Sequence, residues 1–158
     1  MSTEKIQLNT EAEVLLSVAE LPTTDLRDSQ NLQLFGIRRG EQLIGLIGVE
    51  NYSPVGLLRS LVVATKYRNG GYGRTLVDDA EVWASLHGVK DLYLLTTTAV
   101  AFFERLGYQV VSRSVAPPAI SATPQFAGLC PSSSTFMRKQ LTANKALQAM
   151  PKNGAPEL

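Results

Sequence analysis

Apolar and polar positions recur along the chain with two periods, and the elements that they predict alternate from one end to the other. Period-two alternation or a short apolar run, typical of strands, occurs at residues 5–8, 32–38, 42–50, 56–63, 91–96, 108–113 and 135–141. Helical spacing of apolar residues occurs at residues 14–21, 74–87 and 98–106. This order of elements predicts a mixed α/β domain in which helices cover a sheet.

Local signals predict where the helices begin and end. Thr10 and Glu13 have the spacing of a capping box ahead of the first helical run, which Pro22 ends. The second helical run ends at Gly88, a residue favoured just after a helix. The apolar side chains of this second run form one stripe and predict a buried face: Leu76, Val77, Ala80, Trp83 and Ala84.

The later part of the chain has weaker patterns. Residues 116–134 are rich in Pro, Ala, Ser and Thr and are too long for an ordinary connection, which is typical of functional loops. A short helix is predicted within them, near residues 124–129, and this segment and the turn at 51–55 are expected to determine substrate specificity. Residues 142–158 have no strong stripe and are predicted to form a flexible tail, so residues 1–141 are expected to form a single domain.

A glycine-rich junction follows the fourth predicted strand. Gly70, Gly71 and Gly73 allow the backbone to turn tightly and direct its N–H groups toward a ligand, and the helix that follows adds the positive end of its dipole. The junction therefore indicates a site for pyrophosphate, with a plain strand-to-helix turn as the alternative. The spacing fits neither a dinucleotide fingerprint nor a Walker A loop, because Arg74-Thr75 stands where the latter has Lys-Ser/Thr.

The spacing fits a different pattern, Arg-x-x-Gly-x-Gly. Arg68, Gly71 and Gly73 supply its fixed residues, Leu61-x-Val63 precedes it and a helix follows. In this arrangement the motif resembles the acetyl-CoA signature of the GCN5-related N-acetyltransferases (GNAT superfamily).

Two later blocks extend this resemblance. The strand at 91–96 and the segment 101–108, which ends in Leu-Gly-Tyr, are similar to the part of the family in which a helix covers the cofactor arm. The resemblance spans about residues 4–141 and is most specific over residues 58–108. The wording Leu-Leu-Arg-Ser-Leu, Tyr-Leu-Leu-Thr-Thr-Thr and Leu-Cys-Pro resembles a bacterial subgroup associated with arsenic resistance. Neighbouring subgroups acetylate the amino group of phosphinothricin and arsinothricin.

The resemblance implies a mixed, mostly antiparallel twisted sheet with helices on both faces and a split between two central parallel strands. It implies acetyl-CoA as co-substrate, with the pyrophosphate on the glycine loop and the pantetheine arm in the split, and no metal. A backbone N–H near Val62 or Val63 would polarise the thioester oxygen, which makes Val63 a candidate catalytic position. The expected cofactor-binding residues are Leu61, Val62, Val63, Arg68, Asn69, Gly70, Gly71, Tyr72, Gly73, Arg74, Thr75, Phe102 and Phe103.

Two positions depart from the family pattern. Arg59 stands where many members have an acidic residue that accepts the proton of the amine, so Glu50 is the remaining candidate base, with an exposed strand-end carboxylate as the alternative. Phe103 stands where a tyrosine often protonates the leaving thiolate. Conceivable replacements for this acid, besides water, are Tyr93, Tyr108, Ser60 and Cys130. The two departures keep open a non-catalytic module or regulator that binds acetyl-CoA.

Arg59 also raises a question of its own, because an arginine inside an apolar strand needs a partner. One reading is a structural salt bridge. The other is a clamp, shared with Glu50, for a substrate carboxylate, phosphinate or arsonate, since a planar guanidinium is suited to bidentate contact.

Composition narrows the partners. The net charge of +1 gives no reason to expect nucleic acid, and the single cysteine (Cys130) with the single histidine (His87) makes zinc unfavourable. The first residues lack the apolar core of a signal peptide, and no run approaches a membrane span, so a cytoplasmic protein is expected. The sequence thus predicts an N-acetyltransferase acting on a small, amine-bearing, anionic amino-acid-like compound by direct attack in a ternary complex, as a possible homodimer.

Overall fold

The computed structural model describes residues 2–26, 30–129 and 133–141. Its strands are β1 (Glu4–Ile6), β2 (Leu32–Arg39), β3 (Gln42–Tyr52), β4 (Val55–Val63), β5 (Asp91–Thr96), β6 (Gln109–Val110) and β7 (Thr135–Gln140). Its α-helices are α1 (Thr10–Val18), α2 (Tyr72–Leu86), α3 (Val100–Arg105) and α4 (Pro118–Ser121). Short 3-10 turns occupy Thr65–Tyr67 and Arg113–Val115, and a π-helical turn occupies Gln125–Leu129.

The strands of the described residues form one sheet in the order β1-β2-β3-β4-β5-β7-β6. Every neighbouring pair is antiparallel except β4 and β5, which are parallel. The predicted fold class, a mixed and mostly antiparallel sheet with one central parallel pair, is therefore confirmed.

The parallel pair separates after a short contact. Strand β4 pairs with β5 only from Val55–Asp91 to Leu57–Tyr93, and beyond that point the two strands continue without pairing each other. A bulge lies where β4 leaves its partner: the β3–β4 register passes from Gly48–Arg59 to Leu46–Val62 and so leaves an additional residue in β4. Ser60 within the bulge has a φ of +61°. The predicted split is present, and the bulge opens it.

Helices cover both faces of the sheet, as predicted. Neighbouring residues of β3 point to opposite faces: Leu46 packs in the cluster that contains Leu16 of α1, and Ile47 packs in the cluster that contains Leu76 of α2. The predicted stripe of α2 is buried except for Trp83, which is half-buried.

The ends of several elements differ from the predictions. Helix α1 begins at Thr10 rather than residue 14, because the side chain of Asn9, not that of Thr10, caps it by accepting from the N–H of Ala12 at 2.8 Å. Helix α2 begins two residues before the predicted start, at Tyr72, because Gly71 adopts the N-cap position. The strand predicted at 108–113 is only two residues long.

The segment 116–134 carries more structure than predicted. Helix α4 was missed, whereas the helical turn predicted near 124–129 is present as the π-helical turn. Cys130 and the predicted tail at 142–158 lie outside the described residues.

Candidate functional site

The glycine loop between β4 and α2 has the geometry of an anion site. Gly71 is the N-cap of α2 at φ +82°, and a Cβ built there would meet nothing within 4 Å. The first helical bond joins the N–H of Thr75 to the carbonyl of Gly71 at 3.1 Å. The N–H groups of Tyr72, Gly73 and Arg74 precede it and have no carbonyl in the helix to pair with. These groups and the helix dipole favour a negatively charged ligand at the loop.

Cationic side chains surround this loop. The Nε of Arg68 donates to the carbonyl of Val63 at 3.1 Å and so fastens the loop to the end of β4. Arg39 at the end of β2 donates to the hydroxyl of Tyr72 at 2.9 Å, and its guanidinium lies 5.8 Å from the centre of the Tyr67 ring. The sequence analysis missed Arg39, because only the folded hairpin brings it to a loop so distant in sequence.

The predicted aromatic residues of α3 connect this loop to the split. A Cβ at Gly73 would lie 3.4 Å from the ring of Phe102, so α3 packs close to the first turn of α2. Phe102 and Phe103 meet edge to face at 5.0 Å. Phe103 is buried and lines the cavity in the split.

A cavity of about 370 Å³ occupies the split. Its walls are residues 58–61 of β4, residues 94–99 at the end of β5, and residues 20–22 after α1, and Phe103, Gln125 and Ser134 complete it. Leu61 and Ser60 therefore reach the cavity, while Val62 and Val63, also predicted at the cofactor, are not among its lining residues. The acceptor side of the site is thus formed by segments that are distant in sequence.

Arg59 is fully engaged by the protein. Its side chain is 0% exposed, and its Nη1 donates to Asp25 and, at 2.9 Å, to Glu50. Its Nη2 donates to Asp25 at 2.9 Å and to the carbonyl of Pro22 at 3.3 Å, and its Nε donates to Ser60 at 3.0 Å. All the N–H donors of the guanidinium thus have partners. This arrangement is the structural salt bridge of the two readings.

Glu50, the predicted base, is buried rather than exposed. Its carboxylate is 2% exposed, accepts from Arg59 through one oxygen and accepts from the Tyr52 hydroxyl through the other. It is not among the residues that line the cavity. Burial, and next the hydrogen bond to Glu50, raise the pKa of the Tyr52 hydroxyl well above its usual range.

The hydroxyl groups considered as replacement acids lie in three environments. Tyr108 is buried behind α2 and donates to Glu81 at 2.8 Å, and Tyr93 stacks on Phe136. Neither tyrosine lines the cavity, whereas Ser60 does.

The residues present fit acetyl-CoA. The open space at Gly71 leaves room for a phosphate against the backbone, and the separation of β4 from β5 leaves strand edges that an amide-bearing arm can pair with. Within residues 2–26, 30–129 and 133–141, no group of His, Cys, Asp and Glu residues could hold a metal ion. No helix in that part of the chain is long and apolar enough to cross a membrane.

Comparisons with known proteins agree with this geometry. The model of the acetyltransferase (GNAT) family matches residues 7–108. An uncharacterized N-acetyltransferase of Chlorobaculum tepidum is 36% identical over 80 residues, which are 50% of this chain and 51% of that protein. The match thus spans about half the length of that relative.

Solved structures share the fold. N-acetylglutamate synthase from Neisseria gonorrhoeae, complexed with coenzyme A and N-acetyl-glutamate, superposes with a TM-score of 0.71 at 17% identity, over 90% of this chain and 36% of that one. An aminoglycoside 6'-N-acetyltransferase complexed with coenzyme A superposes with a TM-score of 0.70 at 18% identity, over 90% of this chain and 98% of that one. Because the family model also covers well over half of the sequence, the chain belongs to the GNAT family of acetyltransferases.

Proposed function

We propose that this chain transfers the acetyl group of acetyl-CoA to the amine of a small molecule. The observation that carries the proposal is the junction of two features. A loop of unpaired N–H groups at Gly71 leads into a split of the sheet, and the split ends in a cavity large enough for a small acceptor. The family membership and the coenzyme A bound by the solved relatives support the same activity.

The backbone has three tasks in this reaction. The N–H groups of residues 69–75 hold the pyrophosphate, with Arg68 adding charge. The strand edges of the split hold the pantetheine arm. An N–H of β4 polarises the thioester carbonyl, a contribution of about 3 kcal/mol for a well-placed donor. Leu61 is better placed than Val63 for this last task, because Leu61 lines the cavity and belongs to the bulge.

The acceptor amine must lose a proton as the C–N bond forms, and the departing thiolate must gain one as the C–S bond breaks. Glu50 could accept the first proton only by giving up its bond to Arg59 or to Tyr52. Phe103 cannot donate the second, although it lines the cavity where an acid would stand. Water in the cavity therefore has more support than either side chain for both transfers.

An anionic, amino-acid-like acceptor is a second candidate, and Arg59 is the observation that favours it. Arg59 carries the only positive charge among the described residues that line the cavity. An acceptor carboxylate or arsonate would have to displace Asp25 from the guanidinium in order to bind there. The link to arsenic resistance depends on this displacement.

Calorimetric titration with coenzyme A, followed by measurement of thiol release from acetyl-CoA with a panel of amines, tests the proposal. We expect coenzyme A to bind, an amine to release thiol, and Gly71→Trp to abolish both. Coenzyme A binding without thiol release from any amine would favour the non-catalytic module. Absence of coenzyme A binding would contradict the proposed site itself.

A further inference from the structure

We propose that the acceptor of this site is a cationic amine whose second positive group is bound by Glu20. The inference rests on the proposed function, since it names the substrate class of the same cavity. It reverses the charge that the sequence predicts for the acceptor. Three features carry it: the charge balance around Arg59, the position of Glu20 and the hydroxyl of Ser134.

The charge of Arg59 is more than neutralised by the protein. Asp25 and Glu50 both pair with this one guanidinium, and their side chains are 11% and 2% exposed. Together the three groups carry one net negative charge next to the cavity. An anionic acceptor would enter against this charge, whereas a cation would be attracted by it.

Glu20 adds a second negative charge at the opening of the cavity. It is the only acidic residue among the described residues that line the cavity, and it is exposed. No hydrogen-bond donor or cation of the described residues pairs with its carboxylate. Its backbone is fixed where α1 ends, because its N–H donates to Ser17 at 3.0 Å and the next N–H, of Leu21, donates to Leu16 at 2.9 Å. Glu20 is therefore positioned and available to bind an ammonium group.

Ser134 provides an independent sign that a ligand is bound in the cavity. It is 6% exposed and lines the cavity, and its Oγ has no hydrogen-bond partner among the described residues. Its carbonyl is held by the Nη2 of Arg113 at 2.9 Å, so the residue has a fixed place. Buried hydroxyl groups are normally paired, and a polar acceptor molecule would supply the missing partner.

Arg59 has a positioning role in this account. It joins the carbonyl of Pro22 and the side chain of Asp25 to Ser60 in the bulge. It thereby holds the segment that carries Glu20 against β4. The proposal separates this role from a clamp: weakening the Asp25 contact would impair every acceptor if Arg59 positions the wall, but would improve anionic acceptors if Arg59 binds them.

Three amines of equal chain length test the proposal: putrescine, butylamine and γ-aminobutyrate, whose far ends are cationic, apolar and anionic. Acetylation of each is followed with saturating acetyl-CoA, and binding of each to the coenzyme A complex is measured by calorimetry. We expect putrescine to exceed γ-aminobutyrate by at least about tenfold in kcat/KM. We expect Glu20→Gln to remove this preference through KM while butylamine and coenzyme A are unaffected.

Matched variants complete the test. Glu41→Gln, in the exposed β2–β3 turn, makes the same charge change away from the cavity and should leave the preference intact. Ser134→Ala should weaken putrescine, and Asp25→Asn should weaken all three amines. A preference for γ-aminobutyrate, its increase in Asp25→Asn, or an unchanged preference in Glu20→Gln would overturn the proposal. If no amine is acetylated while putrescine binds through Glu20, the binding site stands and the proposed reaction fails.

Discussion

Arg59 shows how far one residue can be interpreted from sequence. Its place in an apolar strand requires a partner, and that requirement is met twice over, by Asp25 and Glu50. The sequence could not name Asp25, because 34 residues separate the two and only the return of the chain over β4 brings them together. The same contact decides between a structural and a substrate-binding reading, so the sequence left both open.

Asp25→Ala should be strongly destabilising because it leaves a buried guanidinium with one carboxylate. Removing one partner of a buried ion pair costs about 3–5 kcal/mol. The matched control is Glu4→Ala, which breaks the Arg38–Glu4 pair, whose side chains are 32% and 54% exposed. That change should cost less than about 1 kcal/mol. Urea unfolding measures both, and equal losses would contradict the central place of the Arg59 network.

Gly71→Ala should weaken coenzyme A binding about tenfold or more, because a Cβ there would fill the space left for phosphate. It should also cost about 1–2 kcal/mol in unfolding free energy, as a left-handed φ does for other residues. Gly40→Ala is the control: Gly40 has a φ of +61° and nothing within 4 Å, but lies outside the loop. Calorimetry should show normal coenzyme A binding in Gly40→Ala, and an equal loss in both variants would contradict the phosphate site.

Among the elements, α2 was the easiest to predict and still held a surprise. Its apolar stripe was evident in the sequence, but Glu81 is 0% exposed on the same helix. Its carboxylate accepts from the hydroxyl of Tyr108 and from the Nζ of Lys139, at 2.8 and 2.9 Å. Helical periodicity places Glu81 next to the stripe but cannot show partners that come from other elements.

Tyr108→Phe tests whether this network serves structure rather than catalysis. The loss of one buried hydrogen bond should lower the unfolding free energy by about 1–3 kcal/mol, because Glu81 keeps only Lys139 among these two donors. Turnover at saturating substrates should not change, since Tyr108 does not line the cavity. Parallel urea unfolding and thiol-release assays check both. A large fall in kcat in a stably folded variant would make Tyr108 the missing acid.

Strand β4 contains the feature that the sequence hid best. The bulge opens the split, and Ser60 carries it at a positive φ that is uncommon for residues other than glycine. No glycine marks the position, so the resemblance to the family, rather than any local rule, predicted a bulge. The predicted split is correct, but the bulge brings Ser60 and Leu61, rather than Val63, to the cavity.

At the scale of the whole molecule, local patterns predicted the elements and the family resemblance predicted their arrangement. The parallel contact of β4 with β5 and the insertion of β7 between β5 and β6 are long-range pairings that periodicity cannot specify. The glycine loop was predictable because its chemistry lies in consecutive residues. The acceptor cavity was not, since Glu20, Arg59 and Ser134 meet only in the fold. A homodimer and a cytoplasmic location stay predictions.

The whole molecule should lose stability at alkaline pH. Burial first, and next the charge of Glu81, raise the pKa of Tyr108 well above its usual range, and burial and Glu50 do the same for Tyr52. In the unfolded chain both hydroxyls ionise near about pH 10. Because the unfolded state then releases protons that the folded state keeps, the stabilisation is complete below that pH and declines above it.

Tyrosinate absorbance and circular dichroism followed together measure this effect. Two of the five tyrosines should ionise only as the chain unfolds. Tyr108→Phe should shift alkaline unfolding to higher pH relative to its own stability at neutral pH. Ionisation of all five tyrosines in the folded protein would contradict the burial of these hydroxyls.

The central claim, that acetyl-CoA lies across the glycine loop and in the split between β4 and β5, is tested most directly by amide hydrogen exchange with and without coenzyme A. The account predicts that added protection is concentrated at residues 60–64, 69–75 and 94–99. Protection that is absent from these three segments, or that falls instead on β1 and β2, would contradict it.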